Sequence, residues 1–201
     1  SHQDTEILFQ RLKNLLFTLD EEEQITIVDV KQRISENFAK NTENVTKKFY
    51  TEFKKQHTVF LDFINGIDDH IANKENTNKQ WYASLMLNRL MFCYFIQKKG
   101  FLNQDVHYLG NKLQESKLHA GKDNFYSFYR SFLLELFHDG LGKPEKHRHE
   151  HPIDLGKIPY LNGGLFDVHE LEKQFEEINI SDDAFNALFN FFDQWNWHLD
   201  N

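Results

Sequence analysis

The fold is decided by the stretch between Trp81 and Ile96, which reads WYASLMLNRLMFCYFI. A helix on a protein surface carries apolar residues on one side, whereas this stretch is apolar on almost every side. Two lysines and then Gly100 follow it, which matches the preference for cations in the last helical turn and glycine just after it. We therefore predict a buried central helix here, preceded by a polar loop over 73–80.

The same stretch contains two strongly polar neighbours, Asn88 and Arg89. Taking a guanidinium out of water costs free energy unless a carboxylate or a carbonyl oxygen binds it. We therefore assign Asn88 and Arg89 to a polar structural core, in which Arg89 has a fixed partner or a functional face.

Three more segments repeat apolar residues at helical spacing behind a residue that suits a helix N-cap. The N-caps are Thr42, Asp123 and Ser181, and the apolar faces are Val45–Ile64, Phe125–Phe137 and Phe185–Phe192. Asn65-Gly66 is expected to end the first helix and Asp139-Gly140 the second. A similar pattern runs from Ile7 to Leu19. Because the chain has only 3 prolines and 9 glycines, we predict an all-α fold, a multi-helix and bundle-like domain.

Composition limits the class of protein. With 40% hydrophobic and 27% charged residues the chain is an ordinary globule, and 20 Phe, 7 Tyr and 3 Trp supply large rings for its core. A single cysteine, Cys93, excludes a disulfide framework and a multi-cysteine metal site within the chain. No run reaches the roughly 18 apolar residues of a membrane span, so we expect a cytoplasmic protein without a membrane partner.

The net charge of −8 opposes bulk attraction to DNA, so any nucleic-acid contact has to come from a local patch. One basic patch is the outer face of the helix predicted after Thr42, which carries Lys47, Lys48, Lys54 and Lys55. These lysines could face phosphates or water. Because a charge run on a helix usually only solvates it, we interpret this face as a solvent face.

A long loop containing glycine and proline is predicted over about 141–166, and loops of that length are usually functional or mobile. Within it His147, His149 and His151 alternate. In an extended segment alternate side chains point the same way, so the three imidazoles could hold zinc or nickel. The basic surroundings and the lack of a rigid frame argue against this. We predict no metal ion and keep a metal-dependent hydrolase as an alternative.

No catalytic centre is recognisable in the chain, and we predict no catalytic residue. The run from His169 to Lys173 begins like a zinc-protease helix but lacks the second histidine. Asp29-Val30-Lys31 matches the acidic-x-Lys triplet of many magnesium nucleases, but no Pro-Asp precedes it. A glycine-rich phosphate loop, a nucleophile elbow and a dinucleotide fingerprint are also missing.

Three segments in order resemble one family of enzymes. They are Leu87–Phe92, Phe95–Leu102 and Ile158–Phe166, the last with Asn162-Gly163-Gly164 between apolar residues. Together they are similar to the helical connector of bifunctional Type IIG restriction-modification enzymes and of related adenine-specific DNA methyltransferases in phage-exclusion systems. The resemblance runs from about Val45 to Trp197. We accordingly divide the chain into an N-terminal lead-in, 1–42, and a helical connector domain, 43–201.

The resemblance implies a position between an N-terminal nuclease part, whose end could be the lead-in, and a C-terminal methyltransferase. The parent enzyme would use S-adenosylmethionine and Mg²⁺, but this chain has neither the glycine-rich cofactor loop nor an Asn-Pro-Pro-Tyr tetrad. We therefore expect no cofactor in this chain. It starts at Ser1 instead of Met, and we expect a piece of a longer polypeptide.

On this interpretation the chain is a non-catalytic fragment. Its expected partners are DNA, bound through the parent enzyme, and the missing methyltransferase and nuclease domains. The expected DNA contacts are Lys98, Lys99, Arg148, Asn162, Gly163 and Gly164. A further alternative is a protein-interaction module that docks a partner through exposed aromatic residues such as Trp195 and Trp197.

Overall fold

The computed structural model describes residues 43–68, 77–121, 124–161, 164–195 and 197. Several predictions lie outside these residues: the lead-in 1–42 with its helical pattern and its Asp29-Val30-Lys31 triplet, the N-caps Thr42 and Asp123, and the loop residues Asn162 and Gly163.

Helices dominate the described part of the chain, which confirms the predicted all-α class. The longer α-helices are α1, Glu43–Leu61; α2, Asn78–Lys98; α3, Tyr108–Ala120; and α5, Asp182–Asp193, with the short α4 at Glu170–Gln174. Between α3 and α4 lie two π-helical segments, Tyr129–Leu133 and Glu135–Leu141, and a 3₁₀ turn, Glu145–His147. Two short strands, β1 (Ile64–Asn65) and β2 (Asn179–Ile180), pair in antiparallel fashion.

The predicted central helix is α2, and every side chain from Tyr82 to Gln97 is buried. The boundary predicted at Trp81 is wrong, because the helix starts three residues earlier. Thr77 and Gln80 form a capping box, in which the Gln80 amide donates to Thr77 Oγ1 at 3.1 Å and the Thr77 amide to Gln80 Oε1 at 3.0 Å. At the other end Gly100 has a φ of 77°, a conformation that glycine adopts without strain.

Helix α1 is shorter than predicted. Ile64 does not continue the helix but lies in β1, opposite Ile180 of β2. Gly66 follows with a φ of 83°, and a Cβ there would lie 2.2 Å from the carbonyl oxygen of Glu177. The two strands therefore approach so closely that only glycine fits at this turn.

Of the segment predicted as an α-helix over Phe125–Phe137, residues 125–127 are not helical, and the rest belongs to a π-type helix that runs on to Leu141. Its N-terminus is capped from a distance: the Asp182 carboxylate accepts the Ser127 amide at 3.0 Å, the Ser127 hydroxyl at 2.5 Å and the Phe128 amide at 2.9 Å. The predicted end at Asp139-Gly140 is wrong. Gly140 lies inside the helix, where a Cβ would meet Ile158 Cδ1 at 2.7 Å and Leu155 Cδ1 at 3.0 Å.

Aromatic rings join α1 and α5 over α2. Phe49 stacks on Phe53 and on Phe191 with ring centroids 5.6 Å apart in both pairs. Trp195 and Trp197 meet the same ring edge-on at 5.0 and 6.1 Å. Burying one such side chain contributes about 1.5–3 kcal/mol, so this ring cluster is a main source of stability. None of the described helices is long and apolar enough to cross a membrane.

Candidate functional site

The most buried ion pair joins α2 to α4. Arg89, whose exposed fraction is 1%, donates from Nη1 to Glu172 Oε1 at 2.7 Å. Its Nε donates to the carbonyl oxygen of Leu165 and its Nη2 to that of Asp167, both at 2.7 Å. The guanidinium thus binds one carboxylate and two backbone carbonyls, which offsets the cost of burying its charge.

Glu172 is the acceptor at the centre of this cluster. Its Oε1 also accepts the Tyr82 hydroxyl at 2.9 Å, and that hydroxyl lies 2.6 Å from the hydroxyl of Tyr129. Its Oε2 accepts the backbone amide of His169 at 2.8 Å and lies 3.2 Å from His138 Nε2. The carboxylate therefore accepts hydrogen bonds from two side chains of α2 and from the N-cap amide of α4, with the His138 ring of the π-type helix beside it.

These donors keep Glu172 ionised. Burial by itself raises the pKa of the Glu172 carboxyl, but the hydrogen bond from His138 and the charge of Arg89 outweigh it and lower the pKa to about 2. Burial also raises the pKa of the neighbouring Tyr82 hydroxyl well above its usual value. A buried carboxylate with a depressed pKa is a poor proton acceptor, so this arrangement is suited to holding α2 and α4 together.

A second carboxylate organises the histidine-rich loop. Asp139 accepts Lys143 Nζ at 2.7 Å, the His149 backbone amide at 2.7 Å and His151 Nε2 at 2.8 Å, and its Oδ1 lies 2.9 Å from His149 Nδ1. Burial raises the pKa of Asp139, but the hydrogen bonds from Lys143, His149 and His151 dominate and hold it below the usual range. Asp139 thus ties the histidine-rich loop to the π-type helix.

The alternating arrangement of His147, His149 and His151 that a metal centre would require does not form. His147 belongs to the 3₁₀ turn, so the run is not extended at that point. The rings of His149 and His151 turn to Asp139, and His151 Nδ1 also lies 3.2 Å from Glu135 Oε2. Within the part of the chain that the structure describes, no group of three or more histidine, cysteine or acidic residues could hold a metal ion.

Arg148, an expected DNA contact, binds backbone of its own loop. Its guanidinium donates to the carbonyl oxygens of Lys143, Ile158 and Pro159 at 3.1–3.2 Å. Burial lowers the pKa of Arg148 below its ordinary value. The side chain therefore ties the start of the loop to its end.

The other expected DNA contacts that the structure describes are Lys98, Lys99 and Gly164. Lys98 Nζ is 3.1 Å from Asp193 Oδ1 and 5.0 Å from the centroid of the Tyr94 ring, so it joins α2 to α5. Lys99 is the C-cap residue of α2. Gly164 has a φ of 80°. The contact of this set with DNA stays a prediction.

Asn88 is buried, with an exposed fraction of 1%, yet neither its Oδ1 nor its Nδ2 has a hydrogen-bond partner among the residues that the structure describes. Leaving such an amide unpaired costs about 1–3 kcal/mol. Trp195 and Trp197, which the protein-interaction alternative takes as exposed docking residues, are half-buried and pack against the core. The exposure assumed in that alternative is therefore only partial, because both indoles contact the Phe49 ring.

Sequence reasoning missed three acidic residues on which the architecture depends: Glu172, Asp139 and Asp182. A signal for Glu172 was present, because His169 and Glu172 have the spacing of a capping box and that box forms. Asp139 and Asp182 carried no local signal. Their partners lie 10 to 12 and 54 to 55 residues away, apart from Lys143.

Comparisons with known proteins point to one class, the restriction-modification enzymes. The chain is 27% identical over 190 residues to a protein of Methanocaldococcus jannaschii named "Putative type II restriction enzyme and methyltransferase". The match covers 82% of this chain but 16% of that protein. The chain thus spans about a sixth of the length of this distant homologue. No family model matches the chain, and no solved structure matches it.

Proposed function

We propose that this chain is a non-catalytic helical part of a restriction-modification enzyme, where it links a DNA methyltransferase part to a nuclease part. The observation that carries the proposal is the distant homology to a protein named as both a restriction enzyme and a methyltransferase, over most of this chain and a small share of that protein. The parent enzyme would be a cytoplasmic protein of the Type IIG kind that defends against phage.

The use of the buried acidic groups supports a non-catalytic role. Glu172, Asp139 and Asp182 each accept several internal hydrogen bonds. A carboxylate that binds Mg²⁺ or activates water has to turn toward a substrate. The carboxylates of these three residues instead accept hydrogen bonds that join helices and loops of the chain. S-adenosylmethionine and Mg²⁺ would accordingly bind to other parts of the parent enzyme.

DNA would be the partner of the whole enzyme, and the methyltransferase and nuclease parts would be the partners of this chain. The loop that Asp139 and Arg148 hold lies between the π-type helix and α4, with Gly164 near its end. Contacts from this loop and from Lys98 and Lys99 would act as supports that set the position of the neighbouring parts on DNA.

The test compares the 201-residue chain with the complete polypeptide that contains it. Each is incubated with unmodified duplex DNA, S-adenosylmethionine labelled on its methyl group, and Mg²⁺. We expect methyl transfer to adenine from the complete polypeptide and neither transfer nor cleavage from the chain alone. Activity in the chain alone would refute the proposal. A complete polypeptide without a glycine-rich cofactor loop and an adenine-methylase tetrad would refute it as well.

A further inference from the structure

We propose that the solvent face of α1, defined by Lys48, Lys54 and Lys55, contacts the phosphate backbone of duplex DNA. The inference deepens the proposed function and rests on it, because it takes DNA as the partner. It differs from the sequence interpretation, which treated this face as a solvent face.

Helix α1 presents this face on a fixed support. Phe53 and Phe60, on its other side, are buried to 1 and 2% exposure. Lys48, Lys54 and Lys55 are exposed. Seven residues of helix advance about 10 Å, so Lys48 and Lys55 lie two turns apart on one line, with Lys54 beside it. Phosphates of one strand follow each other over comparable distances, so flexible lysines on such a line can meet successive phosphates.

The lysine side chains of this face make few hydrogen bonds or ion pairs with the described part of the chain. The Nζ atoms of Lys48 and Lys54 have no hydrogen bond or ion pair to any residue that the structure describes, although the Lys54 carbonyl accepts the Thr58 hydroxyl at 3.2 Å. Lys55 binds Glu52 at 2.8 Å, but both side chains are well exposed, at 63 and 39%. An exposed pair of this kind is weak and is readily exchanged for a phosphate. The threonines on the same face, Thr51 and Thr58, add no negative charge.

Other cations of the molecule are less suited to this contact. Lys143 pairs with the buried Asp139, and Lys98 and Arg148 have the internal contacts described above, which a phosphate would have to replace. Lys112 and Lys173 pair with carboxylates one helical turn away, as Lys55 does, but neither belongs to a row of exposed lysines. Helix α1 has acidic residues nearby as well, Glu52 and the exposed Asp62 after its end, and its three exposed lysines outnumber these two acids in a chain of net charge −8.

The test measures binding of the 201-residue chain to a fluorescent mixed-sequence duplex of about 20 base pairs by anisotropy, at about 50 to 200 mM salt. The test variant is Lys48→Gln/Lys54→Gln, and the matched control is Lys112→Gln/Lys173→Gln, which removes the same charge from α3 and α4. We expect the test variant to bind roughly 10- to 100-fold more weakly at the lowest salt and its log–log salt slope to fall by about 1.8. The control should change binding less than threefold.

A third variant gives an effect of opposite sign. Glu52→Gln removes the carboxylate that pairs with Lys55, so we expect it to bind the duplex more tightly, by roughly threefold. Circular dichroism verifies that each variant keeps its helices. Weaker or unchanged binding by Glu52→Gln would contradict the proposal.

The remaining outcomes separate this inference from the function on which it rests. Loss of binding in the control, with the test variant unaffected, would place the contact on α3 or α4 and overturn the inference while the proposed function stands. Absence of binding by the unmodified chain at the lowest salt would overturn it in the same way. Methyl transfer or cleavage by the chain alone would instead overturn the proposed function.

Discussion

Arg89 Nη1 and Glu172 Oε1 lie 2.7 Å apart although 82 residues separate them in the sequence, and both side chains are almost inaccessible to water. The pair joins the central helix to the short α4, and the same guanidinium holds the carbonyl oxygens of Leu165 and Asp167. Arg89, in the middle of α2, therefore positions the backbone of residues 165–167, just before α4.

Removing one partner of this pair should destabilise the protein strongly. Arg89→Met leaves the Glu172 carboxylate buried without its main counter-charge, at an expected cost of about 3–5 kcal/mol. Urea unfolding followed by circular dichroism measures it. The double variant Arg89→Met/Glu172→Leu should lose less than the sum of the two single losses, because it removes both charges together. Additive losses would show that the pair is not coupled.

Stability should fall with acid through Glu172. Its pKa is depressed from the usual 4.5 to about 2 in the folded chain, so its contribution is complete above about pH 4.5 and is lost as the pH falls toward 2. The lowered pKa corresponds to about 3 kcal/mol as an upper bound. Urea unfolding at several pH values between 7 and 2.5 should show this decline. Asp139, whose pKa is also lowered, contributes in the same acidic range.

The share of Glu172 in this decline can be isolated with Glu172→Gln. This variant should be less stable at neutral pH and should show a shallower dependence on pH below 4.5, because the amide does not titrate. A dependence as steep as that of the unmodified chain would assign the decline to Asp139 and other carboxylates.

Asp182 should be the essential cap of the π-type helix. Asp182→Ala leaves the amides of Ser127 and Phe128 buried without an acceptor, and we expect a loss of about 2–4 kcal/mol. The neighbouring Ser181→Ala is the control, since Ser181 Oγ accepts one exposed amide, that of Asp183, at 3.4 Å. The control should cost below about 1 kcal/mol. Equal losses in thermal or urea unfolding would contradict the assignment.

Two glycines should respond oppositely to the same substitution. Gly140→Ala places a methyl group 2.7 Å from Ile158 Cδ1 and should destabilise the chain by about 1–3 kcal/mol. Gly110→Ala, in α3, meets no atom within 4 Å and should stabilise it by about 0.5–1 kcal/mol. Adding Ile158→Val to Gly140→Ala should recover part of the loss. Without that recovery, the close approach of Gly140 to the loop would not explain the effect.

The sequence predicted helices well where the apolar residues lie on one side of the helix or on all of its sides. The all-round apolar run identified α2 as the buried centre, and Ser181 was correctly predicted as the N-cap of α5. The π-type helix was predicted as an α-helix, because both types place apolar residues at similar spacing and differ in which carbonyl each amide reaches. The end at Gly140 was wrong because a glycine needed for close packing looks, in sequence, like one that ends a helix.

From the sequence we could predict that a buried polar side chain needs a partner, but not which residue the partner is. Arg89 required a partner, but the sequence offered many carboxylates and no means to select Glu172. The partners of Asp182 lie more than fifty residues away, and no local rule connects them. The three alternating histidines do not meet at one point, because His147 lies in a 3₁₀ turn while His149 and His151 both contact Asp139.

The carbonyl contacts of Arg148 have a consequence for limited proteolysis. The arginine bridges Lys143 on one side of the exposed Glu150 to Ile158 and Pro159 on the other. A peptide bond cut beside Glu150 would leave both halves bound to each other through this guanidinium and the core beneath it. The nicked chain should therefore elute as one species under native conditions and separate into two fragments only in denaturant.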